Sequence, residues 1–76
     1  MNRVLTAIID GPKTLKFIDA VSGATLQTFQ LDGTLVNGPV VVGELCTITV
    51  EMYNSKKEIR VYRMTDGAII NRFATV

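Results

Sequence analysis

The feature that most limits how this chain can fold is a hairpin-like stretch that occurs twice, 44 positions apart. Lys57 to Phe73 reads Lys-Glu-Ile-Arg-Val-Tyr-Arg-Met-Thr-Asp-Gly-Ala-Ile-Ile-Asn-Arg-Phe, and Lys13 to Phe29 reads Lys-Thr-Leu-Lys-Phe-Ile-Asp-Ala-Val-Ser-Gly-Ala-Thr-Leu-Gln-Thr-Phe. Lys57, Gly67, Ala68 and Phe73 fall on the identical Lys13, Gly23, Ala24 and Phe29. Ile59, Arg60, Ile70 and Asn71 fall on Leu15, Lys16, Leu26 and Gln27, which are similar in kind. The same shift lays Thr47 to Val50 over Arg3 to Thr6, with Ile48 on Val4, and so expects a strand ahead of each hairpin. Repeated supersecondary units of this size bury their faces against one another rather than singly.

Strands follow from alternation and turns from Gly, Pro, Asp and Asn. The first strand runs over residues 3 to 9, and Asp10-Gly11-Pro12-Lys13 turns the chain. Thr14 to Asp19 carries Leu15 and Phe17 on one face and Lys16 on the other, and Ala20 to Gly23 is the next turn. Ala24 to Leu31 puts Leu26 on one face and Phe29 and Leu31 on the other. Residues 32 to 44 depart from the pattern and hold an edge strand expected to begin at Pro39, because proline cannot donate to a ladder.

In the second unit Cys46, Ile48, Val50 and Met52 share a face, which is the core face. After the turn at Asn54-Ser55-Lys56-Lys57, Ile59 and Val61 are expected inward on the sixth strand, with Tyr62 pointing away from the core. Thr65-Asp66-Gly67 turns into a last strand, Ala68 to Val76. The fold class is therefore all-β: about seven antiparallel strands, as two three-stranded meanders plus an edge strand. They form one domain over 1–76, with units at about 3–31 and 45–76 joined by 32–44. A small sandwich, a partly open barrel and blade-like packing are all compatible with that pattern. β-Branched residues dominate and no window shows helical spacing.

Composition bears on what such a unit can do. Apolar residues make up 47% of the chain, more than a core of 76 residues can hold, since so short a chain buries only about 60% of its unfolded surface. The excess is expected to lie against itself in another copy or against another protein. Eight basic and seven acidic side chains leave no basic excess of the kind nucleic-acid domains carry, which disfavours that partner. No apolar run approaches the roughly 18 residues of a membrane span, and Val4 to Ile9 lacks the features of a signal-peptide core. The expected setting is a cytoplasm or a virus particle.

The stretch Gly38-Pro39-Val40-Val41-Val42-Gly43-Glu44-Leu45, followed by a strand, Glu58 to Tyr62, and Thr65-Asp66-Gly67-Ala68 to Phe73, resembles a blade of a quinoprotein-type β-propeller. Phe17-Ile18-Asp19 through Ser22-Gly23 to Phe29 is similar to the end of a preceding blade. The resemblance implies blade-like meanders. The Trp usual near the end of such repeats is replaced by Phe29 and Phe73, and the chain holds fewer than the four blades a propeller needs. No cofactor-binding residue carries over, so no cofactor is implied.

No catalytic constellation emerges. There is no histidine, and Asp10, Asp19, Asp32 and Asp66 sit in or beside glycine turns, where Asp bonds local backbone. Cys46 lies on the core face with no base to ionise it, and a lone thiol makes no metal site. Candidate interface residues are Pro39, Val40, Val41 and Val42 on the edge strand, with Tyr53 and Tyr62 as anchors. Lys56, Lys57, Arg60 and Arg63 form a candidate basic patch, read chiefly as a solvated strand face. These features favour a non-enzymatic structural or adaptor protein acting by self-association or as a subunit of an assembly, for example a phage particle component. The alternative is a small inhibitory or ligand-binding module that caps a partner by strand addition at the Pro39–Val42 edge.

Overall fold

The computed structural model describes residues 4–75. Arg3 and Val76, which belong to the expected first and last strands, lie outside the described residues. Seven strands follow one another: β1 (Leu5–Ile9), β2 (Thr14–Asp19), β3 (Thr25–Gln30), β4 (Thr34–Val42), β5 (Leu45–Glu51), β6 (Lys57–Arg63) and β7 (Ala68–Thr75). They form two antiparallel meanders, a three-stranded sheet in the order β1-β2-β3 and a four-stranded sheet in the order β4-β5-β6-β7. The strand between the expected units is thus the outer member of the second sheet.

That strand begins at Thr34 and not at Pro39. Thr34 pairs with Glu51 and Leu35 with Val50, after which the register slips between Asn37 and Val40. Pro39 sits inside this irregularity, where a missing N–H interrupts no regular ladder bond.

The inner faces of both sheets build one core. Leu5, Leu15, Phe17 and Leu31 come from the first meander, and Cys46, Ile48, Val50, Tyr62 and Met64 from the second. Cys46, Ile48 and Val50 lie on the core side of β5 as their alternation predicts, with Met52 packed at its margin. Phe17, Phe29 and Tyr62 form an aromatic triad across the sheets, with centroids 5.4 Å (Phe17–Phe29), 5.7 Å (Phe17–Tyr62) and 5.5 Å (Phe29–Tyr62) apart. Each buried side chain of this size contributes about 1.5–3 kcal/mol.

The β2-β3 and β6-β7 hairpins pair alike. Leu15 faces Phe29 and Lys16 faces Thr28; 44 residues on, Ile59 faces Phe73 and Arg60 faces Arg72. Both ladders slip at the same place, between Phe17 and Ile18 and between Val61 and Tyr62. Leu26 and Ile70 are the residues each bulge leaves unpaired. The turns agree as well: Gly23 and Gly67 have φ of 79° and 76°, and each donates its N–H to the carbonyl at the strand end, that of Asp19 or Arg63. The bulge also breaks the simple alternation expected of β3, so Leu26 and Phe29 both pack on the core.

Two further expectations are overturned. The strands preceding the hairpins correspond at a spacing of forty rather than 44, because Leu5 faces Asp19 and Leu45 faces Arg63. The β5-β6 ladder is longer, extending to Glu51 and Lys57, and this accounts for the offset. Moreover, the core side of β6 is that of Arg60 and Tyr62, which face Ile48 and Cys46, and not that of Ile59 and Val61.

Candidate interaction surface

The reversed β6 face puts Ile59 and Val61 on the outer surface of the four-stranded sheet, where apolar side chains are interleaved with Thr47, Thr49, Asn71 and Arg63. Ile59 and Val61 pair with Thr49 and Thr47, Phe73 lies opposite Ile59, and Val40 and Val42 lie opposite Thr47 and Leu45. No other element of the described chain covers this side. Val40 is 57% exposed, Val42 71% and Phe73 48%, while Ile59 and Val61 are half-buried among their neighbours. The surface runs from one edge strand, β4, to the other, β7, both of which pair on one side only.

The candidate interface residues divide. Val40 and Val42 stand on the outer surface; Val41 packs partly on the core and Pro39 is half-buried. Tyr53 projects from the β5-β6 turn at 97% exposure. Tyr62, expected to point outward, is 3% exposed and is held by Phe17 and Phe29 in the molecule's own core.

The candidate basic patch also comes apart, because alternation sends Arg60 and Arg63 to opposite faces. Arg60 is 4% exposed. Its Nε donates to Glu58 Oε1 at 2.6 Å and its Nη2 to Asp32 Oδ1 at 2.6 Å. Arg72 Nη2 donates to the same Glu58 oxygen at 2.8 Å. Burial opposes the Arg60 charge, but the two carboxylates outweigh it and raise the pKa. In turn the Arg60 hydrogen bonds hold Asp32 and Glu58 below the usual carboxylate range, against a weaker desolvation effect. Asp32 therefore does more than accept from local backbone: it also reaches Arg60 on another strand.

Arg63 is exposed and grips Asp66 through Nε at 3.0 Å and Nη2 at 2.6 Å. That pair, with the Ala68 N–H, lowers Asp66 to about 2. Lys56 and Lys57 are exposed on the turn side of β6. Asp19 and Asp66 act as turn acceptors as expected: Val21 and Ser22 N–H donate to Asp19 Oδ1, and Ala68 N–H to Asp66 Oδ1.

A cleft of about 290 Å³ opens beside Arg60, between Phe29, Leu31 and Asp32 on one side and Tyr62, Ile69 and Arg72 on the other. Its two guanidinium groups already hold carboxylates, so the cleft presents no uncompensated charge to a ligand. Cys46 is fully buried, and desolvation pushes its thiol up to about 11. A thiol so seldom ionised is a poor nucleophile.

No family model, curated protein or solved structure matches the chain. The residues that sequence reasoning missed are Leu45, Ile59, Val61 and Phe73. Their outward position had one signal in the sequence: β6 carries large side chains on both faces, Ile59 and Val61 on one, Tyr62 on the other.

Proposed function

We propose that this chain is a non-enzymatic structural or adaptor protein that works by associating with itself or as a small subunit of a larger assembly. The observation that carries this reading is the outer face of the four-stranded sheet, where Val40, Val42, Leu45 and Phe73 stand exposed among polar neighbours. Apolar surface of this kind on a small domain is an interaction site before it is anything else. The paired hairpins support an internal duplication into blade-like units. A virus particle component, such as a capsid decoration or a tail adaptor, suits a small protein of this character. Light scattering coupled to size exclusion tests the self-association arm: a mass above that of one chain at micromolar concentration is expected. A monomer that also recruits no stoichiometric subunit from its native source would sink the proposal.

The second reading is an inhibitory module that caps a partner by strand addition. It is favoured by the Val40–Val42 end of β4, which has no strand paired on its outer side, whereas the Leu35 N–H at the other end is already bonded to the Pro12 carbonyl. A Val41→Pro chain discriminates between the two: it should lose a strand-addition partner while retaining association through the sheet face.

A further inference from the structure

We propose that the outer face of the four-stranded sheet is covered by the back of the three-stranded sheet of a second copy, so that chains join head to tail. This rests on the self-association reading above and specifies its geometry.

The inference comes from comparing what the two hairpins do with equivalent faces. In the first hairpin the face of Leu15, Phe17 and Phe29 packs into the core. The equivalent face of the second hairpin, Ile59, Val61 and Phe73, is the outer one, with Phe73 48% exposed and Ile59 and Val61 half-buried. The preceding strands agree, since Leu5 is buried and its equivalent Leu45 is 41% exposed. Even the bulge residues follow the rule: Leu26 packs on the core and Ile70 stands exposed. The two sheets are therefore stacked front to back, not front to front. The front of the first lies on the back of the second, and the front of the second is left open.

What covers a front within the chain is a back made of Cys46, Ile48, Arg60 and Tyr62. At the equivalent places the back of the three-stranded sheet carries Thr6, Ile8, Lys16 and Ile18, paired Thr6–Ile18 and Ile8–Lys16. At these four places this back repeats the character of the covering one, a small residue, an isoleucine, a base and a large apolar side chain; at the places of the buried Val50 and Met64 it carries Asp10 and Ala20, and Asp10 pairs with Lys16 Nζ at 3.1 Å. It is unoccupied within the chain, with Ile8 46% exposed. One molecule thus holds a front without a back and a back without a front. A face-to-face dimer would satisfy only one of them.

The internal contact gives the docked geometry. Phe17 and Phe29 close on Tyr62, and the Phe29 ring tip lies 2.8 Å from where a Cβ on Gly67 would stand. Repeating that contact between copies sets Val61 and Phe73 against Ile18 of the next chain. It also brings Phe73 over Gly23 of that chain, where a Cβ would meet nothing within 4 Å in the single molecule. A contact between unlike surfaces propagates, closing into a ring when the rotation allows and growing as a fibre when it does not.

The test uses two single variants of the full chain, Phe73→Glu on the front and Ile18→Glu on the back, followed by light scattering with size exclusion. Wild type is expected to run as an assembly and each variant alone as a monomer. Their equimolar mixture should form a 1:1 heterodimer and nothing larger, because one intact front meets one intact back. Far-UV circular dichroism checks that each variant keeps its strands, and Ile8→Glu replaces Ile18→Glu if the latter does not. A wild-type monomer overturns both this inference and the self-association reading, whether or not a foreign protein binds the face. Wild-type mass retained by both back variants, with Phe73→Glu monomeric, overturns head-to-tail joining alone and points to a face-to-face pair. Folded variants that fail to complement each other also overturn it.

Discussion

The Phe29 ring ends 2.8 Å from the position a Cβ on Gly67 would occupy, whereas a Cβ on Gly23, the matching turn glycine, would meet nothing. Both glycines hold a positive φ, of 76° and 79°, so alanine is strained at either site. In the isolated chain Gly23→Ala should cost about 1–2 kcal/mol, the penalty of a left-handed residue with a Cβ. Gly67→Ala should cost more, because the Phe29 ring must also move and loosen its contact with Tyr62. Urea unfolding of the two variants under identical conditions checks the ranking, and equal losses would contradict it.

Removing Arg60 and removing its partners should not be equivalent. Arg60→Met takes away a buried charge and leaves an apolar stem, and its partners still have water or Arg72. A loss of roughly 0–2 kcal/mol is expected. The double variant Asp32→Ala, Glu58→Ala strands the buried guanidinium without a carboxylate and should lose about 3–5 kcal/mol. Chemical denaturation measures both; the reverse order would mean that the unpaired Arg60 guanidinium reaches water and is not stranded.

Stability should fall at both ends of the pH range, through different groups. Asp32 and Glu58 titrate below their ordinary values in the folded chain. Between the folded and unfolded values the unfolded state binds more protons, so their stabilisation is present above about pH 4 and is lost as pH falls through the folded pKa values. Cys46 has the opposite sign: its folded pKa is raised from 9.0 to about 11, so stability declines as pH climbs through that interval. Thermal melts from pH 2 to 11 should show both limbs. Cys46→Ala should flatten the alkaline one, and Asp32→Asn with Glu58→Gln should shrink the acid one, leaving the part carried by Asp66.

Phe17 and Val61 are equivalent by hairpin position, yet Phe17 is fully buried and Val61, on the outer face, only half-buried. Phe17→Ala should cost about 3–5 kcal/mol, a large share of what so small a domain possesses. Val61→Ala should change the stability of the isolated chain by less than about 1 kcal/mol, since no second layer packs on it. Melting temperatures taken at a dilution where the chain is monomeric compare the two; similar shifts would contradict the assigned faces.

Much of this architecture was legible in the residues themselves. Glycine, aspartate and proline mark the turns, β-branched runs mark the strands, and Cys46-x-Ile48-x-Val50 declares a buried face because the residues between are polar. On β6 the same logic is degenerate. Ile59 and Val61 argue for one side, Tyr62 for the other, and Arg60 weighs against burial of its side until Asp32 and Glu58 are seen to hold it. Alternation states which side chains share a face; it does not state which face another sheet will cover. That choice was made by Phe17 and Phe29 closing on Tyr62 from residues far away in the chain, and it left Ile59, Val61 and Phe73 outside.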